Sequence, residues 1–232
     1  PASTPKGKPT TETIVDHIVR YVSRNSGYVY EIKNGGTPIQ ISNIYVANIY
    51  EASFADKGKT AILRFLRDDA QTIASYVVPI PDKNPDGTRT QANGSYLPDG
   101  ISSLAISPDG GTLARITLDG NTTVLSSTTP LNTNRKELLR SPFSEWLVSW
   151  GGQKTVYLQT KASGTTGGFL YQVDEANHRL TRILGNINGL TTSVSPKGTY
   201  ILYSESNSRG FTTKILTTKS GATRTVGSSI LH

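Results

Sequence analysis

Residues 107–110 read Ser-Pro-Asp-Gly, and residues 195–198 repeat this motif as Ser-Pro-Lys-Gly. Each copy follows an apolar residue and precedes a short run of apolar and β-branched residues that is typical of a strand. Proline presets φ to about −65°, serine and aspartate side chains bond to nearby backbone, and glycine accepts a positive φ. The motif therefore predicts a tight turn between two antiparallel strands.

Two further stretches, residues 55–58 and 149–152, stand in the same relation to their flanking runs and also end in glycine. The final glycines of the four stretches are 52, 42 and 46 residues apart in chain order. A four-stranded propeller blade spans about 40–50 residues. The spacing therefore predicts an all-β protein, a β-propeller built from four-stranded antiparallel blades.

Alignment of the four repeats on this glycine gives two apolar columns and one polar column. The residues four positions before the glycine are Phe54, Ile106, Val148 and Val194, and those four positions after it are Ile62, Ala114, Val156 and Leu202. The polar residues seven positions before it are Glu51, Ser103, Glu145 and Thr191. The apolar columns predict positions that pack between stacked blades. The polar column predicts the innermost strand of each blade, where it lines a central channel.

The remaining strands follow from β-branched and aromatic runs between turn residues. Predicted third strands are 73–78, 122–126, 168–173 and 211–216, and predicted fourth strands are 88–96, 135–139, 180–184 and 224–226. Residues 18–24, 27–32 and 38–42 predict the outer three strands of a first blade whose inner strand is not obvious. We therefore expect no helix and five units, at about 14–46, 47–99, 100–141, 142–187 and 188–232.

The two ends of the chain give two further predictions, a tether at the N-terminus and a ring that stays open at the C-terminus. Residues 1–13 contain three prolines among polar residues and predict a flexible tether. The chain begins at Pro1 and contains no methionine, so we expect a removed N-terminal segment, such as a signal or a membrane anchor. Residues 227–232 either close a five-bladed ring beside the first blade or begin a further blade of a larger propeller. We expect the second arrangement, which exposes the apolar face of the last blade.

Composition limits the classes of partner. Lysine and arginine number 24 against 17 aspartates and glutamates, which gives a net charge of +7 and favours acidic glycans or cell-wall polymers. The basic residues are scattered, and no basic stripe alternates with aromatic residues, so we expect no nucleic-acid partner. The absence of cysteine excludes disulfides and thiolate chemistry. A membrane contact is expected only through the missing N-terminal anchor.

These turns and strands resemble the repeats of TolB-like and WD40-like β-propellers, over residues 18–232. The first ninety residues are also similar to uncharacterised, predicted exported propeller proteins of candidate-phylum bacteria, in the stretches 20–22, 27–31, 41–43 and 49–52. The resemblance implies a longer propeller, an extracytoplasmic location and an N-terminal anchor. It implies no catalytic residue.

Two glutamates of the polar column are the first candidate site. Glu51 and Glu145 are expected to line the channel, where paired carboxylates serve as acid and base in glycosidases when they lie about 5–10 Å apart. A solvated polar channel also explains them. The tyrosines of the first unit form a second candidate, a stacking surface for sugars, although packing on strands also explains them. They are Tyr21, Tyr28, Tyr30, Tyr45 and Tyr50.

A third candidate is a calcium loop at residues 82–87. Asp82, Asn84 and Asp86 match the oxygen-bearing positions of a D-x-[DN]-x-[DN]-G loop. The twelfth position is Asn93 rather than glutamate, and Asp, Asn, Pro and Gly are also ordinary turn residues. We therefore expect a structural turn with weak calcium affinity at most, and no other cofactor.

The leading hypothesis is an extracytoplasmic binding or scaffolding module, not an enzyme, which presents propeller loops to a protein or a glycan. The alternative is a propeller hydrolase or lyase that acts on an acidic polysaccharide. The positive charge allows the alternative, and the three histidines, which lie at no metal-ligand spacing from one another, give it no support.

Overall fold

The computed structural model describes residues 16–90, 92–163, 165–174 and 177–230. Its strands form five antiparallel sheets, each in chain order from one edge to the other. Sheet 1 contains β1 (Ile18–Val22), β2 (Val29–Lys33) and β3 (Ile39–Gln40). Sheet 2 contains β4 (Ile49–Ala55), β5 (Thr60–Leu66), β6 (Ile73–Pro79) and β7 (Ser95–Tyr96).

The other three sheets repeat the four-stranded pattern. Sheet 3 contains β8 (Ser103–Ile106), β9 (Leu113–Asp119), β10 (Thr122–Thr128) and β11 (Lys136–Ser141). Sheet 4 contains β12 (Trp146–Gly151), β13 (Thr155–Thr160), β14 (Gly168–Asp174) and β15 (Arg179–Ile187). Sheet 5 contains β16 (Thr191–Val194), β17 (Tyr200–Asn207), β18 (Gly210–Thr217) and β19 (Thr223–Ile230). The prediction of four-stranded antiparallel blades is confirmed.

The sheets stack through apolar side chains that alternate between the two faces of each strand. In β9, Leu113 packs towards sheet 2 with Ile62, whereas Ala114 packs towards sheet 4 with Val148. Successive inner strands, β4, β8, β12 and β16, contact one another in chain order. The core is therefore divided into layers, one between each pair of successive sheets.

The predicted turns join each inner strand to the second strand. In residues 107–112, the Ser107 hydroxyl donates to Asp109 Oδ1 over 2.5 Å and the Thr112 N–H donates to Ser107 Oγ over 2.9 Å. Gly110 has a φ of 79°, and a Cβ built there would lie 2.7 Å from the backbone nitrogen of Asp56. Glycine is thus required by the backbone conformation and also by the packing of this turn against the equivalent turn of sheet 2.

Three sequence predictions need correction. Residues 149–151 belong to β12, because Trp150 is buried in the core and pairs with Val156, so this turn begins at Gly152. The fourth strand of sheet 2 is Ser95–Tyr96 rather than 88–96, because only these two residues pair with β6 and Thr88 belongs to a turn over residues 84–88. The structure also contains a short 3₁₀ turn, Asp56–Gly58, whereas the sequence predicted no helix.

The two end sheets, sheets 1 and 5, show whether the chain closes a ring and whether an outer sheet face is exposed. In the described part of the chain, residues 227–230 extend β19 and pair with β18, whereas the partner of β1 is β2. These four residues therefore neither complete sheet 1 nor begin a further blade, so both alternatives predicted for them are wrong. Tyr200 and Leu202, on the face of sheet 5 away from sheet 4, are 52% and 41% exposed. The prediction that the last sheet exposes an apolar face is confirmed. The tether at residues 1–13 and Leu231 lie outside the described residues.

Candidate functional site

One face of the array collects the loops at which the inner strands begin. We call it the front face: the loops that precede β4, β8, β12 and β16, together with the hairpins between the second and third strands. Ile49 at the start of β4 pairs with Phe65 near the end of β5, and Trp146 at the start of β12 pairs with Thr160 at the end of β13. Antiparallel pairing therefore places these loops and hairpins side by side.

A cavity of about 490 Å³ lies on the front face at sheet 2. We call it the aromatic groove, and its lining includes Tyr45, Phe65, Arg67, Asp68 and Tyr96. Tyr45 and Tyr96 are 64% and 57% exposed, so their rings are accessible to a ligand. The groove joins three separate parts of the chain: the loop before β4, the end of β5 and the short outer strand β7.

The rings and the arginine of the groove hold one another in place. Tyr96 packs edge-on against Tyr76, with ring centroids 4.8 Å apart, and lies 6.5 Å from Phe65. The Arg67 guanidinium lies 5.4 Å from the Tyr96 ring centroid, and its Nη2 is 2.8 Å from Asp99 Oδ1. Edge-on ring pairs and a cation over a ring are both favourable arrangements.

Local hydrogen bonds close the hairpin after β5. The backbone N–H groups of Gln71 and Thr72 donate to Asp69 Oδ1 over 2.9 and 2.8 Å. Hydrogen bonds from the Thr72 side chain, and then from these two backbone groups, lower the pKa of Asp69 to about 2. Asp69 is therefore ionised at neutral pH and stabilises the turn, while Asp68 stands exposed beside it.

A second pocket of about 330 Å³ lies at the equivalent place in sheet 4, and its lining includes Phe143, Glu145, Lys161 and Phe169. Lys161 Nζ lies 2.7 Å from Glu145 Oε2, an exposed ion pair that is worth little to stability. Phe143 packs edge-on against the buried Trp146, with ring centroids 4.8 Å apart. Among the front-face pockets in the described part of the chain, these two combine aromatic side chains with charges of both signs.

The glutamates of the polar column each have a basic partner. Glu51 lies in β4, and its Oε2 accepts a hydrogen bond from Arg64 Nη1 over 2.8 Å. Glu145 lies just before β12 and pairs with Lys161. Of the polar column, Ser103 has a defined role, because its Oγ accepts a hydrogen bond from the Val148 N–H of sheet 4 over 3.0 Å. Channel lining and catalysis by the two glutamates stay predictions.

The predicted calcium residues take part in turn contacts. The Asp82 carboxylate lies 2.6 Å from Lys59 Nζ. Asp86 Oδ1 accepts hydrogen bonds from the Thr88 N–H and hydroxyl, and Asn84 Nδ2 donates to the Thr88 hydroxyl over 2.9 Å. Within the described ranges, no group of three or more His, Asp or Glu side chains is arranged to hold a metal ion. Calcium binding at Asp82, Asn84 and Asp86 stays a prediction.

A buried ion cluster holds the loop between β6 and β7 against sheet 1. Glu31 in β2 accepts from Arg20 Nη2 over 2.7 Å and lies 3.2 Å from Arg89 Nη2, which belongs to that loop. Arg89 also donates to the Pro81 carbonyl, and Arg20 donates to the Gly58 carbonyl over 2.6 Å. The cluster therefore fixes the path along which the chain returns to β7 and the front face.

The sequence predicted part of this site. It named five tyrosines of the first unit as a candidate stacking surface for sugars, and of these the structure places Tyr45 in the aromatic groove. Tyr21 and Tyr30 instead stack on each other across β1 and β2, with ring centroids 5.3 Å apart.

Phe65, Arg67 and Tyr96 were missed, because Tyr96 is opposite Tyr76 only through a strand pairing that spans a long loop. Aromatic residues at the ends of two predicted strands of one unit, Phe65 and Tyr96, are the sequence signal that could have identified the groove. Among the described residues, no helix has the length and hydropathy to cross a membrane.

No protein-family model and no curated protein matches the chain. Among solved structures, the chain is similar to TolB from Acinetobacter baumannii, with 13% identity and a TM-score of 0.61 over 92% of this chain and 53% of that one. It therefore spans about half the length of that protein.

Two other solved structures are similar over most of the chain. One is oligogalacturonate lyase in complex with manganese, with 10% identity and a TM-score of 0.59 over 87% of this chain and 59% of that one. The other is a chain of the nidogen/laminin complex, with 12% identity and a TM-score of 0.53 over 93% of this chain and 76% of that one. At these identities the similarity concerns the fold, and the chain has the antiparallel β-propeller fold of TolB-like proteins.

Proposed function

We propose that the chain is an extracytoplasmic binding module that holds a protein or glycan partner against its front face. The observation that carries this proposal is the presence of two open, aromatic-lined pockets at equivalent places in sheets 2 and 4. Exposed aromatic side chains supply large contact areas at a low entropic cost, which is why binding surfaces are rich in them. The front-face loops are supported by stacked sheets, so we expect the site to be formed before a ligand binds.

The partner class follows from charge and from the similar proteins. The net charge of +7 favours an acidic glycan or a cell-wall polymer for the surface as a whole. The nidogen/laminin structure is a complex of proteins, which supports a protein partner for this fold without identifying one. An exported location and attachment to a membrane through an N-terminal anchor complete the proposal, and cell fractionation of the full-length protein tests them.

A binding screen tests the function. The chain is exposed to glycan and peptidoglycan fragments and to secreted proteins of its source, and each hit is measured again with Tyr45→Ala and Phe143→Ala. We expect one or both variants to bind more weakly. Tyr200→Ala is the matched control, because Tyr200 is an exposed tyrosine at the opposite end of its sheet, next to the turn between β16 and β17. Equal binding by all three variants contradicts a front-face site.

The same screen separates binding from catalysis. Glu145 lines the second pocket, which is the observation that favours a hydrolase or lyase acting on an acidic polysaccharide. Each bound polysaccharide is therefore incubated with the chain and assayed for new reducing ends or unsaturated products. Turnover that Glu51→Gln or Glu145→Gln abolishes would contradict the binding-module proposal and show that the chain is an enzyme. Binding without turnover supports the module.

A further inference from the structure

We infer that the aromatic groove binds neutral sugar residues of a glycan, and this inference rests on the proposed binding function. A sugar ring has an apolar C–H face and a rim of hydroxyl groups, so its site needs an accessible aromatic ring beside polar acceptors. The groove offers Tyr45 and Tyr96, both more than half exposed, next to Asn48 and Asp68. Its volume of about 490 Å³ lies within the range of small-ligand sites.

The charges of the groove disfavour a charged ligand. The Arg67 guanidinium already lies 5.4 Å from the Tyr96 ring centroid and is paired with Asp99, so it leaves no open place on that ring for a second cation. Asp68 and Asp69 outnumber Arg67 on the lining, which gives it a net negative charge that disfavours an anion. We therefore assign an uncharged ligand to the groove. The groove thus differs from the surface as a whole, whose net charge is positive.

The polar groups divide into those that hold the loop and those that face the groove. Asp69 Oδ1 already accepts two backbone hydrogen bonds in the turn. Asp68 is exposed, and Asn48 lies on the lining at a positive φ of 57°. A carboxylate and an amide supply both acceptors and donors for sugar hydroxyls. We therefore assign hydroxyl recognition to Asp68 and Asn48 and ring stacking to Tyr45. Tyr96, whose ring contacts the guanidinium of the groove, forms a wall of the groove.

The second pocket supports the same ligand class. It also combines aromatic side chains, Phe143 and Phe169, with an ion pair whose charges cancel, Glu145 and Lys161. Two pockets of this kind on one face are what a glycan chain with more than one contact point requires. Phe169→Ala tests whether this pocket belongs to the same binding surface.

The experiment measures binding of defined trisaccharides by calorimetry and by chemical-shift changes of backbone amides. The neutral probes are cellotriose, maltotriose and chitotriose, the acidic probe is trigalacturonate, and the cationic probe is trilysine. We expect at least one neutral probe to bind and to shift the amides of residues 45–48 and 66–69. Tyr45→Ala and Tyr96→Ala should each weaken it by about twofold to tenfold, since one aromatic contact is worth that much. Tyr45→Phe should retain binding, because it keeps the ring, and Tyr200→Ala should change nothing.

Tyr45 is the decisive position because its side chain is largely exposed and its truncation leaves the core intact. The inference is overturned if none of the neutral probes binds, if trigalacturonate or trilysine binds in the groove instead, or if a neutral probe binds equally well to Tyr45→Ala. When one of these results occurs while another partner still depends on the front face, the sugar assignment fails and the binding module stands. When no partner depends on the front face, both fail.

Discussion

Ile62 in sheet 2 and Leu202 in sheet 5 occupy the same position relative to the turn glycine, and their surroundings are opposite. Ile62 is 1% exposed and packs against Leu104 and Leu113 of sheet 3. Leu202 is 41% exposed, on the face of sheet 5 that turns away from sheet 4. The same apolar repeat position therefore produces a core contact only where another sheet lies against it.

The largest effect expected from this comparison concerns the two residues themselves. Ile62→Ala should lower the free energy of unfolding by about 2–5 kcal/mol, because it leaves a cavity between two sheets. Leu202→Ala should change it by no more than about 0.5 kcal/mol, as is usual for an exposed side chain. Urea denaturation of both variants measures the difference. An equal loss for Leu202→Ala would mean that this face is covered in solution. A molar mass above that of one chain, measured by light scattering, would then identify self-association as the cause.

The second prediction compares a buried ion cluster with an exposed pair. Glu31 has an 8% exposed side chain between Arg20 and Arg89, whereas Glu205 in sheet 5 has a 36% exposed side chain beside Lys214. Glu31→Gln should cost about 1.5–3 kcal/mol, the usual value for hydrogen bonds to charged groups. Glu205→Gln should cost much less, because solvent screens an exposed pair. Similar losses in urea denaturation would contradict the buried role of Glu31.

The pH dependence of stability sharpens this second prediction. Burial alone would raise the pKa of Glu31, but the hydrogen bond from Arg20 and the charges of Arg20 and Arg89 outweigh it, so its pKa lies below the ordinary 4.5. A carboxylate with a lowered pKa stabilises the fold above its unfolded-state pKa, and this stabilisation is lost as the pH falls through the folded-state value. Glu31→Gln should therefore flatten the stability curve below pH 4.5, with the Glu205→Gln curve as the control.

The third prediction compares a turn that packs against its neighbour with one that does not. Gly110 and Gly100 have nearly the same backbone, with φ values of 79° and 77°. An added Cβ at Gly110 lies 2.7 Å from the Asp56 nitrogen, whereas at Gly100 nothing lies within 4 Å. Gly110→Ala should therefore cost about 1–3 kcal/mol more than Gly100→Ala, the usual penalty for overpacking. Equal thermal midpoints for the two variants would show that the turns of sheets 2 and 3 do not pack in solution.

The smallest effect is expected in the loop of Asp82, Asn84 and Asp86, whose polar side chains already contact Lys59 and Thr88. Millimolar calcium should raise the thermal midpoint by less than about 1 °C, since a ligand at a concentration below its dissociation constant stabilises a fold only slightly. Magnesium serves as the control cation. A rise of several degrees that Asp86→Ala removes would establish a calcium site.

Local chemistry explains what the sequence alone could predict. The bonds within residues 107–112 recur in part at 195–200, where the Tyr200 N–H donates to Ser195 Oγ over 3.0 Å. Such turns depend on a few adjacent residues, so they are visible in any copy of the motif. The predicted strand at 88–96 was too long, because only Ser95–Tyr96 pairs with β6 and Thr88 belongs to the preceding turn. The basic partners of Glu51 and Glu145 were not predicted, since they lie on the paired strand or beyond its end.

By itself, the sequence determined the turns, the alternating strands and the number of sheets, because backbone dihedral preferences and the two-residue period of a strand are properties of short segments. The sequence also predicted that the last sheet exposes an apolar face, whereas only the tertiary structure decided which side chains meet across the covered faces, as Ile62 and Leu104 do. The tertiary structure also decided that Tyr45, Phe65 and Tyr96 line one groove. Burial and pocket formation require contacts between residues far apart in the chain, and those contacts depend on strand register and on which sheets are neighbours.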